Sequence, residues 1–187
     1  MQSTLPGPCE FAVTSLHGSA AISDGEFPVD IRPSSQGAII APKEGSARVG
    51  KVHFALPTLR SLEEETPLGR LAGCAIASTR LEVLVSPHGQ PATLQETDSH
   101  SKIIRVELYA GRDQVRSWEN SDDHDLPTNQ DLRLDVDADI VGVGDNPFSD
   151  NPRGLCVTLT ADFASSVSTL LLSSVALVQT VGPRKKG

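Results

Sequence analysis

Acidic residues are the first groups in this chain whose types and spacing suggest chemistry. Asp135, Asp137 and Asp139 stand at alternate positions, the spacing that opens a calcium loop. Such a loop needs glycine at its sixth position and a bidentate glutamate at its twelfth, where this chain has Ile140 and Asn146. Leu132, Leu134, Val136, Ala138 and Ile140 alternate with Asp131, Arg133, Asp135, Asp137 and Asp139. Side chains on a strand switch faces at each residue, so the segment reads as a strand with one aliphatic and one acidic row. Asp122, Asp123 and Asp125 fall instead in a polar stretch and are the candidate cation ligands, offering hard oxygens to calcium or to an intersubunit cation. No resident metal is expected.

Nucleophilic chemistry has less support. The chain has no GxSxG elbow and no local Cys–His signature. Its five histidines, His17, His53, His88, His100 and His124, include no His-x-His pair and no zinc-ligand spacing. Gly142–Asn146 lacks the following Lys-Ser/Thr of a phosphate loop and reads as a turn. Enzymatic activity is therefore not expected. Arg184, Lys185 and Lys186 form the one basic cluster and are the candidate RNA contacts. Three charges are too few for a self-sufficient nucleic-acid site, but arrayed in many copies their counterion release adds up.

Composition narrows the classes further. Sixteen basic against twenty-four acidic residues leave a net charge of −8, which opposes a grip on phosphate and favours solubility. Aromatics are 4%, so the core must be built from Val, Leu, Ile and Ala, and ring platforms for stacking bases or sugars are scarce. Cys9, Cys74 and Cys156 are widely spaced, and none lies in a CxxC, which points to reduced thiols in an intracellular setting. The N-terminal segment has no basic n-region and no long apolar stretch, and the apolar run near the C-terminus is broken by Ser173 and Ser174. A soluble protein with no membrane partner is expected.

The elements that must position these residues are strands. Ala38–Ala41, Val49–Leu56, Cys74–Ser86, Ile103–Ala110, Asp113–Trp118, Asp131–Val143, Gly154–Phe163 and Ser168–Val181 are apolar or alternating runs between Gly-, Pro-, Asn- and Ser-rich breaks. Thr58 is a candidate N-cap for one short helix, with Leu59 and Leu62 on one face and Pro67 ending it. The resulting fold class is all-β, an antiparallel eight-stranded jelly-roll β-sandwich with one or two short helices. The expected organisation is an extended N-terminal arm over 1–36, a jelly-roll domain over 37–182 and a basic tail over 183–187.

Two stretches carry a resemblance to a known family. Ser78–Gly89 (STRLEVLVSPHG) and Pro152–Pro183 (PRGLCVTLTADFASSVSTLLLSSVALVQTVGP) resemble strands of the coat proteins of small icosahedral positive-strand RNA viruses, of the tymovirus type. The resemblance implies a capsid subunit that self-assembles through edge loops and the N-terminal arm into a shell around viral RNA. It would be found in the virion, and in the host cytoplasm before assembly. Its partners would be many copies of itself and, weakly and non-specifically, RNA, with divalent cations or polyamines offsetting the acidic charge at assembly. The alternative is a non-viral β-sandwich binding or scaffold module, either lectin-like or an acidic chaperone-like oligomer.

Overall fold

Alternation of apolar and polar residues dictates two-faced strands, and a computed structural model shows them packed into two antiparallel sheets. The structure describes residues 9–45, 48–56, 74–88, 101–119, 131–136 and 155–183. Among these residues eleven strands run in chain order: β1 (Cys9–His17), β2 (Ile22–Ser23), β3 (Val29–Ser34), β4 (Gly37–Pro42), β5 (Val49–Leu56), β6 (Cys74–His88), β7 (Lys102–Ala110), β8 (Asp113–Glu119), β9 (Leu132–Val136), β10 (Leu155–Asp162) and β11 (Thr169–Pro183). A 3-10 turn, Gly18–Ala20, is the helical element among the described residues.

Strands β4 to β11 are the eight strands of a jelly roll. One sheet has the order β4-β11-β6-β9 and the other β5-β10-β7-β8, so consecutive strands alternate between sheets apart from the β7–β8 hairpin. Strands β1, β2 and β3 are additions. β3 extends the first sheet beside β4, β1 lies along β11, and β2 extends the second sheet beside β5. Within the segment 1–36, β1 is hydrogen-bonded along β11 of its own chain from Cys9 to His17. The short extended pieces that the sequence suggests there, Phe11–Leu16 and Val29–Ile31, fall within β1 and β3. Pro33, which cannot donate to a ladder, is accommodated because β3 is an edge. The helix expected after Thr58 lies outside the described residues.

Between the sheets sits an aliphatic core. Val52, Phe54 and Leu56 on β5 meet Leu155, Val157, Leu159 and Ala161 on β10, and Val106, Leu108 and Ala110 on β7. From the opposite sheet come Leu81, Val83 and Val85 on β6, Leu132, Leu134 and Val136 on β9, and Leu170, Leu172, Val175 and Leu177 on β11. Phe163 and Trp118 are buried among them. The acidic row of β9 is exposed at Asp131, Arg133 and Asp135, as the alternation required.

One junction depends on glycine. β11 pairs with β4 over Leu170–Leu172 and with β1 from Ser174 onward, and the handover leaves the Leu172 carbonyl tightly enclosed. A Cβ on Gly18 would lie 1.7 Å from that oxygen and one on Gly37 2.0 Å from it. Gly37 also has φ 144°, a conformation that side chains disfavour.

Candidate functional site

The outer face of the second sheet is where chemistry-bearing side chains converge. The alternation that sends Val52, Phe54, Val157 and Leu159 inward sends Lys51, His53, Thr158 and Thr160 outward. Cross-strand register then assembles them into rows. Thr160 on β10 stands between Lys51 on β5 and Arg105 on β7, and Arg105 faces Glu119 on β8. In the next row Thr158 stands between His53 and Glu107, and Glu107 faces Ser117. The register slips between Thr160 and Ala161, which pair with Arg105 and Ile103 and leave Ile104 extra. Such a bulge re-aims side chains, and Ile104 and Arg105 both line the outer face.

A cleft of ≈ 460 Å3 opens on this face, lined by Lys51, Lys102, Ile104, Arg105, Glu119, Thr160 and Asp162. Its floor has unmet hydrogen-bonding capacity. Thr160 is only 5% exposed, and its Oγ1 has no hydrogen-bond partner among the described residues. Arg105 Nε, and Ser117 Oγ in the next row on β8, are likewise shielded from solvent without one. Arg105 Nε lies 3.8 Å from Glu107 Oε1, near enough for attraction but too far for a hydrogen bond. The guanidinium instead pairs through its terminal nitrogen with Glu119. Tyr109 donates its hydroxyl to Glu107 at 3.2 Å, and burial together with that carboxylate pushes its phenol above the ordinary value.

The second row makes a different arrangement. His53 Nε2 lies 2.8 Å from Asp24 Oδ2, and His53 Nδ1 lies 2.9 Å from Thr158 Oγ1. Asp24 Oδ1 accepts the backbone N–H groups of Glu26 and Phe27 at 2.7 and 2.8 Å. The Phe27 N–H, then the His53 ring, hold the Asp24 carboxyl below its usual range. Carboxylate, imidazole and hydroxyl stand in the order of an acyl-transfer triad. Neither Thr158 nor His53 lines the cleft, however, so no substrate space opens beside this series. The series clamps the turn after β2 onto β5 and β10. Cys156, beyond Thr158 on the same face, is half-buried rather than a core residue, and burial raises its thiol pKa.

The site residues expected from sequence are not among the described residues. Asp122, Asp123 and Asp125, and the tail residues Arg184, Lys185 and Lys186, are outside the described residues, as are Asp137, Asp139 and Ile140. Among the described residues no three His, Cys, Asp or Glu side chains group to hold a metal ion, and no helix is long and apolar enough to cross a membrane. Lys51, Lys102, Arg105, Ser117, Glu119, Thr160 and Asp162 went unremarked as a group. The one local signal was the pair of threonines set at alternate positions in the apolar run of β10.

Neither a protein-family model nor a curated protein sequence matches the chain. Solved structures similar to it include a carbohydrate-binding module, CBM36, in complex with calcium and xylotriose. The two share 10% identity over 87% of this chain and 97% of that one, with a TM-score of 0.37. Another is CBM29_1, a family 29 carbohydrate-binding module from Piromyces equi, at 8% identity over 89% and 91% of the chains and a TM-score of 0.39. A third is the apo form of a cyclase from Fischerella sp., at 13% identity over 99% and 93% and a TM-score of 0.45. Likenesses this faint transfer no ligand and no activity.

The coat-protein expectation is corrected here. Carbohydrate-binding modules and a cyclase stand where viral capsid proteins were expected. The jelly roll itself is common to capsids, lectins and cupins, so it does not argue for a shell. The segment expected to reach between subunits is, over residues 9–17, a strand of its own sheet.

Proposed function

We propose that the protein is a β-sandwich binding module whose ligand seats on the outer face of the five-stranded sheet, in the cleft over Thr160 and Arg105. The observation that carries this reading is the unpartnered trio Thr160 Oγ1, Arg105 Nε and Ser117 Oγ. A polar group shielded from water without a partner costs about 1–3 kcal/mol, and three in two adjacent rows concentrate that cost at one place. A ligand that accepts from Arg105 and exchanges hydrogen bonds with the two hydroxyls removes it. The cleft volume of ≈ 460 Å3 suits a small ligand or the few residues of an oligomer. Strands β5, β7, β8 and β10 hold the lining side chains on a hydrogen-bonded sheet, so little ordering is left for binding to bring about.

A thermal-shift panel of neutral saccharides, acidic saccharides and small carboxylates tests the reading on the wild-type chain and on Thr160→Val. A compound that raises the wild-type midpoint but leaves the Thr160→Val midpoint unmoved supports a ligand at Thr160. If no compound shifts the wild type while Thr160→Val is simply more stable, the trio is unrelieved strain and the reading falls.

A further inference from the structure

We infer that the ligand of this cleft is an acidic saccharide, a sugar that carries a carboxylate beside free hydroxyls. The inference rests on the cleft being a binding site and adds the charge and class of what it binds.

Charge within the lining is the first argument. Lys51, Lys102 and Arg105 face Glu119 and Asp162. Glu119 is engaged by Arg105, and Asp162 lies 3.9 Å from Arg48, which is outside the lining. Lys51 has its ammonium 4.6 Å from the centre of the Phe27 ring, and among the described residues neither Lys51 nor Lys102 pairs with a carboxylate. The two lysines stand on the strands either side of β10, Lys51 opposite Thr160 and Lys102 opposite Asp162. A chain with a net charge of −8 thus sets two lysines without a carboxylate partner among the described residues beside an unpartnered hydroxyl. A single carboxylate between them would meet both charges and the Thr160 hydroxyl together.

The remaining lining selects among anions. Asp162 and Glu119 keep lone pairs to accept from hydroxyl groups, and Thr160 both donates and accepts. A ligand with several hydroxyls around its carboxylate uses all of these. Among the described residues no aromatic ring lines the cleft, so they offer a neutral sugar or a nucleobase no stacking platform there. A peptide would want an apolar pocket for an anchoring side chain, and Ile104 is the one aliphatic residue in the lining.

The test is calorimetric titration of the full chain with trigalacturonate, cellotriose and tetraglutamate, repeated on Lys102→Ala and Thr160→Val, with each midpoint checked to confirm folding. Trigalacturonate is expected to bind wild type at least roughly tenfold tighter than the other two. Lys102→Ala should weaken it by about tenfold, the size of one charge-assisted contact. Salt near 0.15 M should also weaken it. Cellotriose binding as tightly as trigalacturonate would overturn the charge inference and leave the cleft a binding site. Tetraglutamate binding as tightly would overturn the saccharide class in favour of an acidic peptide. If trigalacturonate does not bind while another compound binds in a Thr160-dependent way, this inference fails and the binding-module reading survives. Failure of every compound, with Thr160→Val more stable than wild type, would overturn both.

Discussion

Thr158 and Thr160 allow a sharp test of how the outer face is built, because they differ in one respect only. Both lie on β10, both point outward and both are 5% exposed. Thr158 Oγ1 has the His53 ring at 2.9 Å, whereas Thr160 Oγ1 has no partner. Valine has nearly the same shape as threonine and suits a strand, so Thr→Val at each site isolates the hydroxyl. At 158 the substitution removes a made hydrogen bond, a net loss of about 0.5–1.5 kcal/mol. At 160 it removes a group whose desolvation nothing compensates, a gain of about 1–3 kcal/mol. For a domain of this size each kcal/mol moves the midpoint by roughly 2–4 °C, so Thr158→Val should melt lower and Thr160→Val higher than wild type. Trp118, 7% exposed between the sheets, gives the fluorescence readout for urea unfolding, and calorimetry gives the midpoints. A Thr160→Val that destabilises as much as Thr158→Val would show that the Thr160 hydroxyl is satisfied, and the argument for the cleft would go with it. The predicted outcome has the form of a stability–function trade-off, in which the hydroxyl costs the free protein stability and is recovered on binding.

Three further perturbations follow from the fold. Gly37→Ala places a methyl against the Leu172 carbonyl at a φ of 144°, and should cost roughly 1–3 kcal/mol or more by chemical denaturation; an unchanged midpoint would mean β11 shifts freely at its handover from β4 to β1. Asp24 has its carboxyl held below the ordinary 3.8, so its contribution is present above that pH and is lost as pH falls through the lower folded-state value. Urea midpoints between about pH 5 and pH 2 should therefore fall less steeply in Asp24→Asn than in wild type, and parallel curves would refute the clamp. Phe163→Ala empties a fully buried ring site and should cost about 3–5 kcal/mol, read as loss of the cooperative transition near room temperature.

What the sequence disclosed and what it withheld divide along physical lines. A period of two is a local property, so β5, β10 and the acidic β9 were legible from a few residues each, and eight such runs without helical alternation pointed to the jelly roll. β1 to β3 carry the same pairing in a Pro-, Gly- and Ser-rich stretch where the alternation is short, and β1 and β2 find their pairing partners far along the chain, in β11 and β5. Lys51 and Thr160 are neighbours only because β5 and β10 pair in one register, and a slip of one residue would send Thr160 into the core. The cleft is a product of register, which no window of sequence contains. Its most specific feature is an absence of partners, visible only once every neighbour is in place.

The same reasoning explains why a correct fold led to an incorrect function. Burial pattern determines which residues face inward, and jelly rolls of many functions share that inward set of Val, Leu, Ile and Phe. Resemblance over Ser78–Gly89 and Pro152–Pro183 is carried largely by inward residues such as Leu81, Val83, Val157, Leu159 and Leu177, which describe a sandwich and nothing more specific. What distinguishes this chain lies on the outward set of four strands: Lys51 on β5, Lys102 and Arg105 on β7, Glu119 on β8, Thr160 and Asp162 on β10. Those positions lie outside the inter-sheet core, so the burial pattern that defines the sandwich does not choose them. Placing two lysines without carboxylate partners among the described residues beside an unpartnered hydroxyl lowers stability, and a carboxylate-bearing ligand would reverse that loss.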